Sequence, residues 1–312
     1  MPETPSPTDL RRVLETARQA RGMAYAPYSG FTVGSALLTG DGQIHSGCNV
    51  EIGSWEEATC AERVAILDAI TAGAANERLD FIRLIVISTQ EARPGVPLHF
   101  NSPCGNCRQL IYDFADAHSC QVVIDDGKDG QLFTLDALLP LGYRLGNKLE
   151  NPVLANCSQL EQQALDKPDA TGLLGVAQAI RANASRRVQD RPEGAAILTT
   201  DGRAFCGTSA ESSCTALSLR ALRCAVDRAV VSGTARHGAA FVKSAALALP
   251  RSGRTPENIW RQAINPALVA EFFAPDADIF LQMDGAAAIS LKAAEMFACI
   301  DSYAAEAEKP KS

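Results

Sequence analysis

The stretches Cys60-Ala-Glu-Arg-Val-Ala-Ile66 and Pro103-Cys-Gly-Asn-Cys107 decide which fold and which chemistry this sequence predicts. Together they supply three potential thiolate ligands, and the carboxylate of Glu62 lies two positions after the first of them. Three protein thiolates can bind one Zn²⁺ and leave its fourth position open, which is the arrangement that a metal ion needs to activate water. The pattern therefore favours a catalytic zinc site.

Two alternatives compete with this interpretation of the cysteines. A Cys-x-x-Cys pair can be a redox pair, and many cysteines are simply small buried apolar residues. Zinc deaminases combine a His or Cys as first ligand, a Cys-x-x-Cys pair and a Glu that does not bind the metal, so Glu62 favours catalysis. A closed structural zinc site would need a fourth Cys or His. None of the four histidines lies beside either stretch; they are His45, His99, His118 and His237.

The composition predicts a soluble protein of a reducing compartment. The chain has 312 residues, enough for two ordinary domains, and its ten cysteines are spread irregularly instead of forming a disulfide framework. The N-terminal segment has no signal-peptide pattern, and no apolar stretch approaches membrane-spanning length. A net charge of −7 without a basic cluster argues against a nucleic-acid partner. We therefore expect a cytoplasmic protein, without membrane association, that acts on a small molecule.

Apolar periodicity and turn residues predict the element order of the first half. An Asp-Gly pair at 41–42 joins two antiparallel strands, and the apolar segment 83–88 has the pattern of a buried strand. The order β-β-α-β-α-β predicts a three-layer α/β/α domain with a mixed sheet. The predicted elements are a helix from Thr8 or Asp9 to Gly22, strands 33–38 and 43–50, helix 58–72, strand 83–88, helix 104–117 and strand 121–124.

The second half repeats the first at an offset of 160 positions. Ser-Ala-Leu-Leu-Thr-Gly-Asp-Gly at 35–42 corresponds to Ala-Ala-Ile-Leu-Thr-Thr-Asp-Gly at 195–202 without a gap. Coincidence is the alternative, because Asp-Gly turns and alanine-rich helices are common. In this register Cys60 corresponds to Arg220 and Glu62 to Leu222, so the second copy lacks the metal-binding residues. We expect a duplicated fold with one Zn²⁺ per chain: a catalytic domain at 1–145, a connecting segment at 146–185 and a degenerate, non-catalytic domain at 186–312.

The spacing within the motif places the metal at the ends of two helices. Residues two positions apart on a helix point in nearly opposite directions, so Cys60 and Glu62 can approach one ion only at a helix N-terminus. There the helix dipole and free backbone N–H groups stabilise a thiolate. Cys104 and Cys107, directly after a proline, fit the first turn of a second helix in the same way. Three thiolates weaken the Lewis acidity of zinc. Arg63 could offset this effect by donating a hydrogen bond to a ligand sulfur. An exposed ion pair with a surface carboxylate is an equally good interpretation of Arg63.

Four sequence blocks resemble the cytidine deaminases. They are AYAPYSGFTVGSALL at 24–38, GCNVE at 47–51, CAERVAI at 60–66 and PCGNCRQ at 103–109. The resemblance covers roughly residues 10 to 140. It implies that Zn²⁺ is bound by Cys60, Cys104 and Cys107, that Glu62 shuttles protons, and that the backbone N–H of Ala61 contacts the pyrimidine.

The resemblance also implies the residues that bind the nucleoside. Asn49 and Glu51 would contact the ribose hydroxyls, and Phe31 would pack against the base. Asn49 and Glu51 alternate on a strand and so share one face, although Asn49 could instead only turn the chain. After Glu51 the family usually has Asn-Ala-Ser, whereas this chain has Ile52-Gly53-Ser54.

The function implied by the resemblance is zinc-dependent hydrolytic deamination of cytidine and deoxycytidine in pyrimidine salvage. The three-cysteine site resembles the short, tetrameric members of the family, whereas a long chain with a degenerate second half resembles the two-domain members, which form homodimers. Two alternatives remain open. The substrate could be another aminopyrimidine nucleoside, such as a nucleoside antibiotic, or cytidine within RNA. The chain could also be a non-catalytic zinc-binding assembly module, although such a module has no use for Glu62.

Overall fold

Two mixed β-sheets of five strands each form the framework of the protein, one in each half of the chain. The computed structural model describes residues 5–54, 57–74, 81–89, 101–125, 127, 130–145, 155–185, 191–237, 240–251 and 264–296. The elements of the first half are α1 (Pro7–Arg21), β1 (Val33–Thr39), β2 (Ile44–Cys48), α2 (Ala61–Thr71), β3 (Ile82–Thr89), α3 (Gly105–Asp113), β4 (Gln121–Ile124), β5 (Gln131–Thr134) and the short α4 (Leu135–Leu138).

The first sheet has the strand order β2-β1-β3-β4-β5, in which only β3 and β4 are parallel. Successive strand residues face opposite sides of a sheet, and here both sides are covered by helices. Ala36 and Val86 pack with α1, whereas Leu37 and Ile85 pack with α2 and α3. The predicted three-layer α/β/α domain with a mixed sheet is therefore confirmed.

The second half contains α5 (Cys157–Asp166), α6 (Ala170–Ile180), β6 (Gly194–Thr199), β7 (Ala204–Thr208), α7 (Ala221–Val231), β8 (Val242–Leu249), α8 (Pro266–Phe272), β9 (Phe273–Met283) and β10 (Ile289–Lys292). Its strand order is β7-β6-β8-β9-β10, and β8 and β9 form its parallel pair. The strand order is thus the same in both halves. None of the helices in the described ranges has the length and apolarity needed to cross a membrane.

The duplicated fold predicted from the sequence is confirmed at the level of single residues. At an offset of 160 positions, β7 coincides with β2, α7 with α2 and β8 with β3. A close contact between helix and strand also recurs. A Cβ atom on Gly34 would collide with the carbonyl oxygen of Ala17, and one on Gly194 would collide with that of Ala177. Both sites require glycine, so the two halves share packing details as well as topology.

Several local boundaries differ from the sequence prediction, and β2 ends at Cys48 instead of 50, so Asn49 and Glu51 lie just after the strand and not on it. Ser6, not Thr8 or Asp9, is the N-cap of α1, because its hydroxyl accepts the N–H of Asp9 at 3.1 Å while the Asp9 carboxylate bonds back to Ser6. Helix α2 begins at Ala61 instead of 58, and α3 ends at Asp113 instead of 117. Strand β5 was not predicted, since its four residues are mostly exposed and carry no buried pattern.

The two helices within the predicted connecting segment pack on the second sheet. Leu160 of α5 and Leu173 and Ala177 of α6 lie in one buried cluster with Ala196 and Ala246 of the sheet. Helix α6 takes the place that α1 has in the first half. We therefore propose that the second structural unit begins before α5, and that the connection is shorter than 146–185.

The two halves share a hydrophobic core around a local twofold axis. Val50 and Ile52 of the first half lie in one buried cluster with residues of α7, β8 and α8. Asp68 of α2 accepts a hydrogen bond from Arg228 of α7, with 2.9 Å between Nε and Oδ1. Positions 68 and 228 are equivalent in the repeat, and equivalent positions meet each other only around a twofold axis. The halves are therefore packed like the two subunits of a symmetric dimer.

Candidate active site

Two helix N-termini bring the three motif cysteines together. Cys60 is the N-cap of α2, Cys104 is the N-cap of α3, and Cys107 is the third residue of α3. The cluster therefore lies beside first-turn N–H groups that have no acceptor within their helices. The three sulfur atoms all lie within 4.8 Å of one another, and the Sγ atoms of Cys104 and Cys107 are 3.6 Å apart.

This set of sulfur atoms fits a zinc ion. Tetrahedral coordination with Zn–S distances of about 2.3 Å separates the sulfur atoms by about 3.8 Å, which is close to the observed spacing. All three residues are free thiols. His45 and His118 are hydrogen-bonded to Asp68 and Asp136 instead. The site thus offers three protein ligands to the metal.

The three thiols differ in their protonation. Hydrogen bonds with Cys107 and Cys60 lower the pKa of Cys104, which favours its thiolate form. The hydrogen bond to Cys104 raises the pKa of Cys60 to about 12, and the corresponding bond raises the pKa of Cys107. Because zinc binds thiolates, its binding would release the protons of Cys60 and Cys107.

Glu62 lies in the protein interior at the start of α2. It is the second residue of the helix, and only 4% of its surface is exposed. Burial raises its pKa to about 7, and the nearby charge of Cys104 acts in the same direction, whereas Arg63 opposes both. A carboxyl group with a pKa near neutrality can accept and donate a proton under physiological conditions. A proton shuttle requires this property.

Arg63 contacts the second half of the chain. Its Nη2 donates to the carbonyl oxygen of Leu217 at 3.2 Å, and its buried Nε has no hydrogen-bond partner in the described part of the chain. Arg223, the equivalent residue of the second copy, donates to the carbonyl of Glu57, which is the equivalent of Leu217. Each arginine thus donates to a backbone carbonyl of the other half, and the two contacts are related by the local twofold axis. A contact between Arg63 and a ligand sulfur stays a prediction.

The residues expected to bind the nucleoside are connected by hydrogen bonds. The side chain of Asn49 accepts the N–H of Val33 and donates to the carbonyl of Phe31, both at 2.8 Å. Glu51 accepts the N–H of Tyr28 at 3.0 Å. Asn49 therefore does hold the chain between Phe31 and Val33. Its role on the ribose, like that of Glu51, stays a prediction.

Ala61 is the first residue of α2 and is completely buried. The N–H of a first helical residue has no acceptor within its own helix. The position of Ala61 between Cys60 and Glu62 therefore offers a backbone donor at the metal site, as the predicted contact with the pyrimidine requires.

An ion pair occupies the equivalent position in the second copy. Arg220 is the N-cap of α7, and its Nε donates to Glu193 at 2.8 Å. Leu222, the equivalent of Glu62, is 1% exposed. A guanidinium group and a buried leucine cannot replace a thiolate and a proton shuttle, so this position supports neither metal binding nor proton transfer.

A second group of potential metal ligands lies between α5 and β7. The ligand atoms of Cys157, Glu161 and Cys206 lie within 4.8 Å of one another. However, Arg228 donates to Glu161 at 2.5 Å. A guanidinium group already neutralises this carboxylate, and a metal ion would face its positive charge. We therefore assign the zinc to the first cluster alone.

One contact that the sequence did not indicate lies at the segment 25–31, which leads to Phe31 and is called the nucleoside loop below. The hydroxyl groups of Tyr25 and Tyr28 both donate to Glu271 of α8. Glu271 follows Tyr25 by 246 positions and Tyr28 by 243 positions in the chain. No local pattern signals such a contact.

Comparison with known proteins connects the first half to one family. The sequence model of the cytidine and deoxycytidylate deaminase zinc-binding region matches residues 7–123. The cytidine deaminase of Sporosarcina psychrophila is 36% identical over 132 residues, which are 42% of this chain and 89% of that protein. Cytidine deaminase 2 of Arabidopsis thaliana is 26% identical over 210 residues, or 66% of this chain and 60% of its own length.

Two solved structures of cytidine deaminases match part of this chain. The cytidine deaminase of Burkholderia pseudomallei is 36% identical, with a TM-score of 0.37. The match covers 43% of this chain and 98% of that one. A cytidine deaminase of Mycobacterium leprae is 28% identical over 42% of this chain and 96% of its own, with a TM-score of 0.34.

Proposed function

The chain belongs to the cytidine deaminase family, and on that premise we propose that it hydrolyses cytidine and deoxycytidine to uridine and deoxyuridine, with release of ammonia. One observation carries this proposal: three cysteines converge at two helix N-termini beside Glu62, a buried carboxyl group whose pKa is near neutrality. An open three-ligand zinc site with an adjacent proton shuttle is what hydrolytic deamination requires.

The residues of the site divide the reaction between them. Zn²⁺ held by Cys60, Cys104 and Cys107 would supply a Lewis acid that makes water nucleophilic at neutral pH. Glu62 accepts a proton from the attacking water and delivers it to the ring nitrogen. It then transfers the second proton to the exocyclic amine as the C–N bond breaks and ammonia leaves. The N–H of Ala61 orients the pyrimidine during these transfers.

Three residues would bind the nucleoside outside the metal site. Phe31 packs against the base, while Asn49 and Glu51 bind the ribose hydroxyls. Asn49 donates directly to the carbonyl of Phe31, and Ser29 links Glu51 to Phe31, which supports a joint role in binding. Arg63 carries a positive charge next to Glu62 and would stabilise the thiolate-rich site.

Substituting Glu62 tests the mechanism. We expect Glu62→Gln to lower kcat for cytidine by about 10²-fold or more while zinc content stays at the wild-type level, because the amide cannot shuttle protons. An ultraviolet absorbance assay and metal analysis provide the two measurements. Glu15→Gln, at an exposed position on α1, is the matched control. Near wild-type turnover in zinc-loaded Glu62→Gln would exclude this mechanism.

Another aminopyrimidine nucleoside is the second candidate substrate. Ile52 and Gly53 directly follow Glu51, which is proposed to bind the ribose, and they leave this alternative open. Competition between cytidine and the other nucleoside in the absorbance assay separates the two. Loss of deamination on chelation, and its recovery with zinc, would exclude a non-catalytic assembly module.

We also propose a cytoplasmic homodimer that acts in pyrimidine salvage. The cysteines that the structure describes are free thiols, which suits a reducing compartment. The second unit packs on the first like a neighbouring subunit, so two chains would provide four units of the same fold. Large apolar side chains that stay exposed near the end of the first unit support such an association; they are Leu132, Leu141, Tyr143 and Leu145.

A further inference from the structure

A carboxylate of the second half binds two tyrosines of the first half beside the nucleoside loop. Glu271 lies on α8, and the ring of its neighbour Phe272 packs edge-on against Tyr25, with the centroids 5.2 Å apart. The hydroxyl groups of Tyr25 and Tyr28 donate to the two carboxylate oxygens of Glu271 at 2.5 and 2.7 Å. Burial and the bond to Glu271 raise the pKa of Tyr25, so its hydroxyl stays protonated at neutral pH. One side chain thus holds both ends of segment 25–28.

The same segment leads directly to the residues that would bind the nucleoside. Glu51 accepts the N–H groups of Tyr28 and Ser29, each at 3.0 Å. The hydroxyl of Ser29 donates to Glu51 and accepts the N–H of Phe31 at 2.9 Å. The positions of Phe31 and Glu51 therefore depend on where the turn at 28–29 lies. Glu271 fixes this turn from the other side, through Tyr28.

Residues 52 and 53, which follow Glu51, lie close to this contact. Ile52 is buried in the core that both halves share. A Cβ atom at position 53 would lie 3.3 Å from the hydroxyl oxygen of Tyr28, which is closer than an ordinary contact. Gly53 therefore leaves Tyr28 the space that it needs to reach Glu271.

We propose that Glu271 is a positioning residue of the active site, which holds Tyr25 and Tyr28 so that their loop presents Phe31 and Glu51 to the nucleoside. The second half, without metal ligands of its own, thereby contributes to substrate binding. This inference rests on the proposed function. Because Glu62 and the cysteines lie on other elements, α2 and α3, removal of the contact should weaken binding and spare the chemical step.

Steady-state kinetics of the full-length zinc enzyme test the role in binding. An amide at position 271 is uncharged and replaces one acceptor oxygen by a donor, which weakens the charge-assisted bonds from both hydroxyls. We therefore expect Glu271→Gln to raise KM for cytidine about tenfold and to change kcat less than about threefold. The double variant with Tyr28→Phe and Glu271→Gln should raise KM by less than the product of the increases in the two single variants. Both substitutions affect the same hydrogen bond. Asp284→Asn, which loses an ion pair with Arg181 inside the second half, is the control and should leave KM unchanged. An unchanged KM, or a loss confined to kcat, overturns the proposal.

Hydrogen exchange tests the positioning role without reference to activity. In Glu271→Gln we expect faster amide exchange in the peptide that covers residues 24–31, measured by mass spectrometry at wild-type zinc content. The Asp284→Asn control should match the wild type. If the wild type does not deaminate cytidine, the proposed function fails, yet this measurement still reports on Glu271. Unchanged exchange overturns the positioning role, and so does faster exchange with unchanged KM, since the contact would then be purely structural.

Discussion

The cysteines of this chain show how position within an element sets the chemistry of a single residue. Burial raises the pKa of three other cysteines to about 12, so they remain thiols; they are Cys48, Cys120 and Cys224. Cys104 has the same side chain, but at a helix N-terminus with two neighbouring thiols its pKa is lowered. Within the cluster, Cys104 can therefore bind a metal as a thiolate without first losing a proton.

Metal analysis of two cysteine variants tests this difference. We expect Cys104→Ala to lose its zinc and to lower deamination at least about 10²-fold, because the metal supplies the activated water. Cys120→Ala removes a buried thiol outside the cluster and should keep one zinc ion per chain. Two zinc ions per wild-type chain would contradict our view that Arg228 excludes a metal from Cys157, Glu161 and Cys206.

At the scale of elements, α2 and α7 are equivalent helices whose facing positions carry opposite charges. Asp68 of α2 accepts hydrogen bonds from Arg228 of α7 and from His45, both at 2.9 Å. In a symmetric pair of identical helices, position 68 would face a second copy of itself, and like charges would repel. Gene duplication allows the two sides to differ, so Asp68 and Arg228 specify pairing between the halves.

The ionisation of Asp68 predicts a stability that depends on pH. Burial alone would raise its pKa, but the hydrogen bond from His45 and the charge of Arg228 outweigh burial and lower it to about 2. A lowered folded-state pKa stabilises the protein above the unfolded value near 4, and this contribution is lost as the pH falls from about 4 to about 2. It amounts to about 2 kcal/mol at most.

Urea unfolding at several pH values provides the measurement. We expect Asp68→Asn to be less stable than the wild type at pH 7, with the difference shrinking below pH 4 and vanishing near pH 2. Asp136→Asn removes a carboxylate paired with His118 at an exposed site and should follow the wild type throughout. If the free energy of unfolding changed with pH in the same way for the wild type and Asp68→Asn, this carboxylate would not stabilise the contact between the halves.

The elements that the sequence predicted well are those with a strong local pattern. Helix α2 and the hairpin of β1 and β2 follow from apolar periodicity and an Asp-Gly turn, and the same pattern recurs 160 positions later. The helix N-termini at Cys60 and Cys104 follow from side-chain geometry and a proline. In contrast, the contacts of Tyr25 and Tyr28 with Glu271 depend on how two sheets pack, which no short stretch of sequence encodes.

At the scale of the whole molecule, the two halves share buried apolar clusters. Ile52 from the first half lies in a cluster built mainly by the second, and Ala210 and Cys224 from the second half complete the core beneath the first sheet. Separating the halves would expose this apolar surface. The sequence indicated two domains because the repeat is visible in it, but the shared core follows only from the packing.

The proposed homodimer is tested by the mass of the particle in solution. The chain has a mass of 33.1 kDa, and light scattering should therefore give about twice this value for the wild type. We expect Leu141→Asp combined with Leu145→Asp to shift the protein towards the monomer, because both exposed side chains would lose apolar contacts. Leu165→Asp, at an exposed apolar position on α5, is the control. A monomeric wild type would rule out the homodimer.

The hydrogen bonds of Arg223 limit how the second half can evolve. Its guanidinium donates to the carbonyl oxygens of Val50 and Glu57, at 2.8 and 2.7 Å. Every residue type has a backbone carbonyl, so no substitution at position 50 or 57 could compensate for the loss of this arginine. Selection for activity in the first half therefore acts on a residue of the copy that lost its ligands. Positions 220 and 222 no longer carry a metal ligand and a proton shuttle, whereas the adjacent position 223 keeps its arginine and both contacts with the first half.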